Sequence, residues 1–294
     1  MKAVIFGISG QDGFYLSEYL SKLGVSVVGI SKSEGNWIKG DISDYFFVER
    51  IIKSEMPDYI FQFAAVSDTK HSNLFLNHSA ICTGSVNVLE AVNKYSRKSI
   101  VFLAASAIQF LNTGVPINEK TDFFANSYYS VARIHNVFLA RYFRSLGLNV
   151  KVGYLFHHDS PRRSSKHINQ YIVRSLKKIA QGKEEFIELG NLDVRKEFNY
   201  AGDIIKAIWL VVNQNNHDEV VIGSGKAYSI REWIEYCAKK IGVDYEAYLR
   251  YNKSYKSDFS TLVSDPSLLL SLGWKPEIDF HMLADMMIKD VEQA

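Results

Sequence analysis

Cysteine is nearly missing from this chain: Cys82 and Cys237 are the only two in 294 residues. Neither a disulfide framework nor a cysteine-built zinc site is expected. Proline is almost as scarce, with five, and the lack of any low-complexity segment argues against a flexible linker. No apolar run is long enough to cross a bilayer, and the first residues form a strand without a basic leader, so the chain reads as cytoplasmic, with no membrane partner. Charge of one sign is also lacking. Thirty-four Lys and Arg against 32 Asp and Glu leave +2, which gives no case for nucleic acid. What is present is an ordinary globular composition, 47% apolar, in a chain long enough for one large domain or a domain plus a smaller lobe.

The most informative stretch is the first. An apolar strand, Val4-Ile5-Phe6, runs into Gly7-x-x-Gly10-Gln11-Asp12-Gly13, and a helical pattern follows at once. Glycines there let backbone approach a pyrophosphate, and the helix start offers N–H groups and a positive dipole end. The strand–turn–helix context is what gives the triplet weight. Strands at 3–6, 25–30, 59–64, 100–104 and 150–156 alternate with helices at 14–23, 45–53, 74–95 and 128–146, so the pattern predicts an α/β fold, a doubly wound parallel sheet (Rossmann). Residues 204–212 read as a helix and 220–222 as a last strand. We expect residues 1–156, with 197–223 returning, to form the dinucleotide-binding domain, and 157–196 with 224–294 a smaller C-terminal lobe over the strand ends that binds substrate.

The end of the second strand bears on the choice of cofactor, NAD or NADP. A carboxylate there favours NAD by meeting the ribose hydroxyls. Ser31-Lys32-Ser33-Glu34 offers one cation for a 2′-phosphate with Glu34 opposing it, so NAD is favoured. Asp41, in Gly40-Asp41-Ile42, is a candidate for the adenine amino group or for capping the next helix. Ile42, in the same step, and Ala64, at the end of the strand 59–64, join the expected cofactor-binding set, which Tyr129 and Arg133 complete.

These features, with Tyr129-x-x-x-Arg133, resemble the extended short-chain dehydrogenase/reductases, and the GDP-mannose 4,6-dehydratases in particular. Leu155-Phe156-His157-His158-Asp159-Ser160-Pro161-Arg162-Arg163 is similar to that family's Leu-Phe-Asn-His-Glu-Ser-Pro-Arg-Arg loop. Gly190-Asn191-Leu192-Asp193 with Arg195-Lys196-Glu197-Phe198, and Asp265-Pro266-Ser267 with Leu272-Gly273-Trp274-Lys275-Pro276, resemble two further family blocks. The resemblance implies a GDP-sugar substrate, with His157, Arg162, Arg163, Asn191, Arg195, Lys196 and Lys256 about the sugar nucleotide. Adjacent histidines on extended chain diverge, and no carboxylate or cysteine cluster joins them, so His157 and His158 are not read as metal ligands.

The catalytic motifs depart from the family. Its Ala-Ser-Thr-Ser-Glu strand end, whose threonine binds the sugar hydroxyl and whose glutamate is the acid/base of elimination, reads here Ala105-Ser106-Ala107-Ile108-Gln109. Ser106 replaces the threonine only if the backbone turns there, because neighbours on a strand face opposite ways. The lysine of Tyr-x-x-x-Lys is Arg133, one helical turn from Tyr129. Arginine keeps the charge that draws a phenol's pKa down from about 10, though its planar fork is not an ammonium.

Hydride transfer at C4 needs the tyrosine and the cofactor, whereas elimination needs the missing acid/base. We therefore expect a C4 dehydrogenase or 4-keto reductase of a GDP-linked hexose or heptose in surface-polysaccharide sugar biosynthesis, with Tyr129, Arg133 and Ser106 as its catalytic residues. The alternatives are a 4,6-dehydratase with replaced groups, Asp68 or Glu119 supplying the carboxylate, and a non-catalytic cofactor- or nucleotide-sugar-binding protein. The family's arginine-rich loop is cut short to residues 34–39. A homodimer through helices 74–95 and 128–146 is expected instead of the family's tetramer.

Overall fold

Alternate residues of the first strand serve opposite layers, and the architecture follows from that. In the computed structural model, which describes residues 1–67, 69–255, 257 and 259–293, Val4 and Phe6 of β1 (Lys2–Phe6) join one core and Ala3 and Ile5 the other. The strands β1, β2 (Ser26–Ser31), β3 (Ile38–Lys39), β4 (Tyr59–Gln62), β5 (Ile100–Ser106), β6 (Asn149–Leu155) and β7 (Glu219–Ile222) form one sheet ordered β7-β6-β5-β4-β1-β2-β3. Every pairing is parallel. This is the α/β Rossmann sheet the alternation predicts, with β3 as an exposed edge strand too short to announce itself.

The first face is covered by α2 (Tyr45–Glu55), α3 (Gly84–Tyr95) and α4 (Tyr128–Ser145), through Val48, Ile52, Val88, Leu89, Val137 and Ala140. The other is covered by α1 (Gln11–Lys22) and the helix Ala201–Val212, through Leu16, Leu20, Ile204 and Ile208. Each such side chain, fully buried, contributes roughly 1.5–3 kcal/mol. Asp44 caps α2, its carboxylate accepting from Phe47 N at 3.2 Å.

The expected continuous helix over 74–95 is broken. One α-turn, Leu74–Asn77, passes into a π-helical stretch, His78–Thr83, before α3 begins. The wider turn leaves the Ala80 carbonyl to accept from Gln62 Nε2 at 2.9 Å, and such turns cluster at functional sites.

The second half holds more helix than the sequence reading recovers. Ile168–Ala180, Ile230–Ile241 and Phe280–Gln293 enclose a separate core about Phe198, Trp233 and Phe280, with Phe198 stacked on Trp233 at 4.9 Å. Glu197, wholly buried, fastens this lobe together. It accepts from Ser264 N at 2.7 Å, Ser224 N at 2.7 Å and Asn199 Nδ2 at 2.8 Å. Among the described residues no helix is long and apolar enough to cross a membrane.

Candidate active site

The sheet order reverses between β1 and β4, and the crevice opens there, beyond the strands' carboxyl ends. Gly7 takes φ +90°, and a Cβ on it would lie 2.8 Å from Ala64 N. A Cβ on Gly13 would lie 2.4 Å from the Gly7 carbonyl oxygen, so α1 packs directly on the turn. Gly10 is the N-cap and has no side chain to occupy the helix start. Beside it is a cleft of 260 Å³ whose lining includes Gly7, Gly10, Ser31, Lys32, Ile42 and Ala64. The bare helix start and the space kept clear by glycine fit a dinucleotide's diphosphate.

Five side chains near the cleft are placed differently from expectation. Glu34 does not oppose Lys32, because it pairs with Lys39 at 2.5 Å. Lys32 instead meets Asp41 at 2.9 Å. Burial would raise the Asp41 pKa, but Lys32 and the Ser43 N–H outweigh it and hold the carboxyl below its usual range. Nor does Asp41 cap α2, which Asp44 does. Gln11 and Asp12 turn away from the cleft toward the 155–163 loop. Gln11 donates to the His158 carbonyl at 3.3 Å and accepts from Ser160 Oγ at 2.8 Å, while Asp12 lies 2.9 Å from His158 Nε2.

Tyr129, at the start of α4, packs with Tyr128 in a small cluster that includes Ala65, a residue of the cleft wall. Arg133 is buried, its guanidinium 5.0 Å from the Tyr129 ring centre, and Nη1 donates to the Ala104 carbonyl at the end of β5. Its Nε has no hydrogen-bond partner among the described residues. Tyr128 is the one bonded to a histidine, its hydroxyl 2.6 Å from His78 Nδ1. The backbone does turn after Ser106: a 3₁₀ turn, Ala107–Gln109, starts there. Ser106 Oγ accepts from the Gln109 amide, and Gln109 Oε1 accepts from Ser106 N at 3.0 Å. Gln109 is wholly buried and Ala107 nearly so. The position of the family's acid thus holds an uncharged amide folded back onto its own turn. Glu119, the alternative carboxylate, accepts from Val221 N at 2.8 Å on the sheet; Asp68 lies outside the described residues.

The 155–163 loop gathers charge under the lobe. Arg163 Nε is 3.3 Å from the buried Asp159, which accepts from Asn169 at 2.6 Å. Lys196 is buried beside them, and burial lowers its pKa to about 8 against the pull of Asp159. His157 is also held well below its usual pKa, by burial and then by Lys196, and its ring is 5.9 Å from Phe259. Arg162 lies across the face of Phe14 at 3.7 Å. Strand alternation sends Arg195 the opposite way from Lys196, onto Glu232 at 3.1 Å and the Ala227 carbonyl. Asn191 is exposed and accepts from Asp193 N. The expected sugar-nucleotide set is thus split: His157, Arg163 and Lys196 come together, Arg162 lies on Phe14, Arg195 and Asn191 do not join them, and Lys256 lies outside the described residues. Sequence reasoning missed the Asp12–His158 pair and the capping role of Gln109, for which only the Ser-x-x-Gln spacing was a signal.

A parallel sheet of this order with a glycine-cradled cleft and a Tyr–Arg pair beside it fits an extended short-chain dehydrogenase/reductase, and comparison with known proteins makes it an NAD(P)-dependent enzyme of nucleotide sugars. The chain belongs to the GDP-mannose 4,6-dehydratase family, whose model matches residues 4–287. It is 28% identical to GDP-mannose 4,6 dehydratase 1 of Arabidopsis thaliana over 99% of this chain and 90% of that protein. UDP-glucose 4-epimerase of Thermus thermophilus, solved with NAD, shares the fold at a TM-score of 0.89, 19% identity and full coverage of both chains. RMD of Pseudomonas aeruginosa, solved with NADPH, does so at 0.85 and 19%, covering 99% and 97%.

Proposed function

We propose that this enzyme oxidises or reduces C4 of a GDP-linked hexose or heptose, with NAD favoured over NADP. The cofactor, when bound, supplies the hydride acceptor or donor. Tyr129 takes the O4 proton during oxidation and returns it during reduction, with the Arg133 guanidinium beside its ring. Ser106 has its O–H free to donate to the sugar hydroxyl, since its oxygen is the capping acceptor. Arg163 and Lys196 offer charge to the substrate diphosphate. NAD is favoured because Lys32 is neutralised by Asp41, leaving no uncompensated cation for a 2′-phosphate. The observation that carries the reading is Gln109: buried, uncharged and turned onto its own backbone, it cannot exchange a proton.

The full 4,6-dehydratase reaction is the second reading, and the family model and the relative's name favour it over a bare C4 oxidoreductase. It requires a replacement acid/base, a role for which Glu119 is poorly placed. The product mass after incubation with GDP-mannose or a GDP-heptose and cofactor decides. Loss of two hydrogens supports C4 oxidation, and loss of one water gives the dehydratase. Tight cofactor binding with no turnover of any sugar or keto-sugar nucleotide gives the binding protein.

A homodimer is part of the proposal. Val131, Phe138 and Tyr142 leave an apolar stripe exposed on α4, and Val86 extends it on α3. Sedimentation of a monomer or a tetramer would overturn it, and Phe138→Asp should yield monomers.

A further inference from the structure

Asp12 is the second residue of α1, at the positive end of the helix dipole. A carboxylate there competes with a diphosphate for the same helix end and repels it. His158, 146 residues away in the chain, meets that carboxylate: Nε2 lies 2.9 Å from Asp12 Oδ1. Its other ring nitrogen, Nδ1, lies 2.7 Å from the Phe156 carbonyl oxygen. Neither partner can donate, since an ionised carboxylate and a carbonyl are acceptors only. Both ring nitrogens must therefore carry protons, and His158 is an imidazolium.

We propose that His158 is a positioning residue for the cofactor: its positive charge neutralises Asp12, so that the helix start behind the glycine turn accepts the diphosphate. The inference rests on reading that turn as the diphosphate seat. Gln11 reinforces the link by bonding the same loop at His158 and Ser160. The charged groups about the imidazole agree with this state. Burial and Arg163 disfavour the proton, while Asp12, from α1, and the Phe156 carbonyl favour it, and the outcome is a raised pKa; the neighbouring His157 is itself held well below its usual pKa. Asp159 lies beside them and pairs with Arg163, and Lys196 faces Asp159 from the strand Arg195–Glu197. On the Asp12 side burial works against the charge, but His158 and then Arg163 outweigh it and bring the carboxyl to about 2.

The test compares ADP with adenosine as calorimetric probes on the whole protein, in wild type, His158→Gln, Asp12→Asn and the double variant. Glutamine keeps an N–H donor and loses the charge. His158→Gln should weaken ADP about tenfold, the equivalent of about 1.4 kcal/mol, and leave adenosine nearly unchanged. In the Asp12→Asn background the same change should have little effect. Wild-type ADP affinity should fall as pH rises through the raised pKa of His158 and the imidazolium is lost, and Asp12→Asn should flatten that profile. Nitrogen-15 imidazole shifts of the ligand-free protein should show both His158 nitrogens protonated near neutral pH. Equal weakening of adenosine and ADP, an undiminished effect in Asp12→Asn, or a neutral His158 would overturn the proposal. Wild type that binds neither probe would instead remove the reading of the turn, and this inference with it.

Discussion

The turn after β1 and the turn after β5 stand at the carboxyl ends of the same sheet, yet they handle polar groups in opposite ways. The first leaves its helix start open: Gly10 caps nothing, and the side chains of Gln11 and Asp12 are drawn off to a distant loop. The second closes on itself, since Ser106 and Gln109 satisfy each other's backbone N–H groups. An open helix end binds a ligand, and a closed one holds a shape. The difference teaches that two turns of one sheet can be specialised separately, one left open for a ligand and the other locked by its own side chains.

The comparison is sharpened most by Tyr129→Phe. Removing the proton acceptor should cut turnover by about 10²–10⁴-fold while cofactor affinity, followed by fluorescence, stays as it was. Unchanged turnover would sink the mechanism. Next is Ala107→Thr with Gln109→Glu, which restores the elimination groups to the closed turn. Acid/base groups of this kind contribute at least about 10²-fold, so mass spectrometry should find a product lighter by one water that the parent does not make. Gly13→Ala attacks the open turn. Its methyl would sit 2.4 Å from the Gly7 carbonyl, and overpacking of this sort costs about 1–3 kcal/mol, visible as a lower melting temperature and weaker cofactor binding.

Smaller effects test the periphery. Asp41→Asn frees Lys32 and should move preference toward NADP by no more than about 1 kcal/mol, the scale of an exposed ion pair, measured as the ratio of the two affinities. Away from both turns, Arg141, Tyr154 and Arg144 outweigh burial and hold Glu219 at about 2. A depressed carboxyl stabilises the fold above its ordinary value of about 4.3 and loses that contribution as pH falls through about 2. Glu219→Gln should flatten the melting temperature over that acid interval.

The sheet was legible because buried parallel strands are continuous apolar runs, and the glycine turn because backbone geometry admits little else at Gly7 and Gly13. The π-helical stretch was not, since one extra residue in a turn leaves the apolar pattern of 74–95 nearly intact. The helix Ile168–Ala180 carries Ile172, Val173, Leu176 and Ile179 on one buried face, a pattern present in the sequence but overlooked where the strand–helix alternation stops. Ser106 was decidable only once the turn was seen. The pairing of Arg195 with Glu232 and that of Asp12 with His158 join residues far apart in the chain, and no local spacing announces such partners.

The distance between Asp12 and His158 has a consequence for how the protein is made. Domains mature from the amino terminus during synthesis, and the glycine turn leaves the ribosome well before the 155–163 loop. At that stage Asp12 stands at the helix start without its counter-charge, which arrives only when the chain has grown past β6. By this reading cofactor holds the nascent amino-terminal half only weakly until His158 has been made: the half-made sheet relies chiefly on its own packing, and full-strength ligand capture waits for the segment beyond β6.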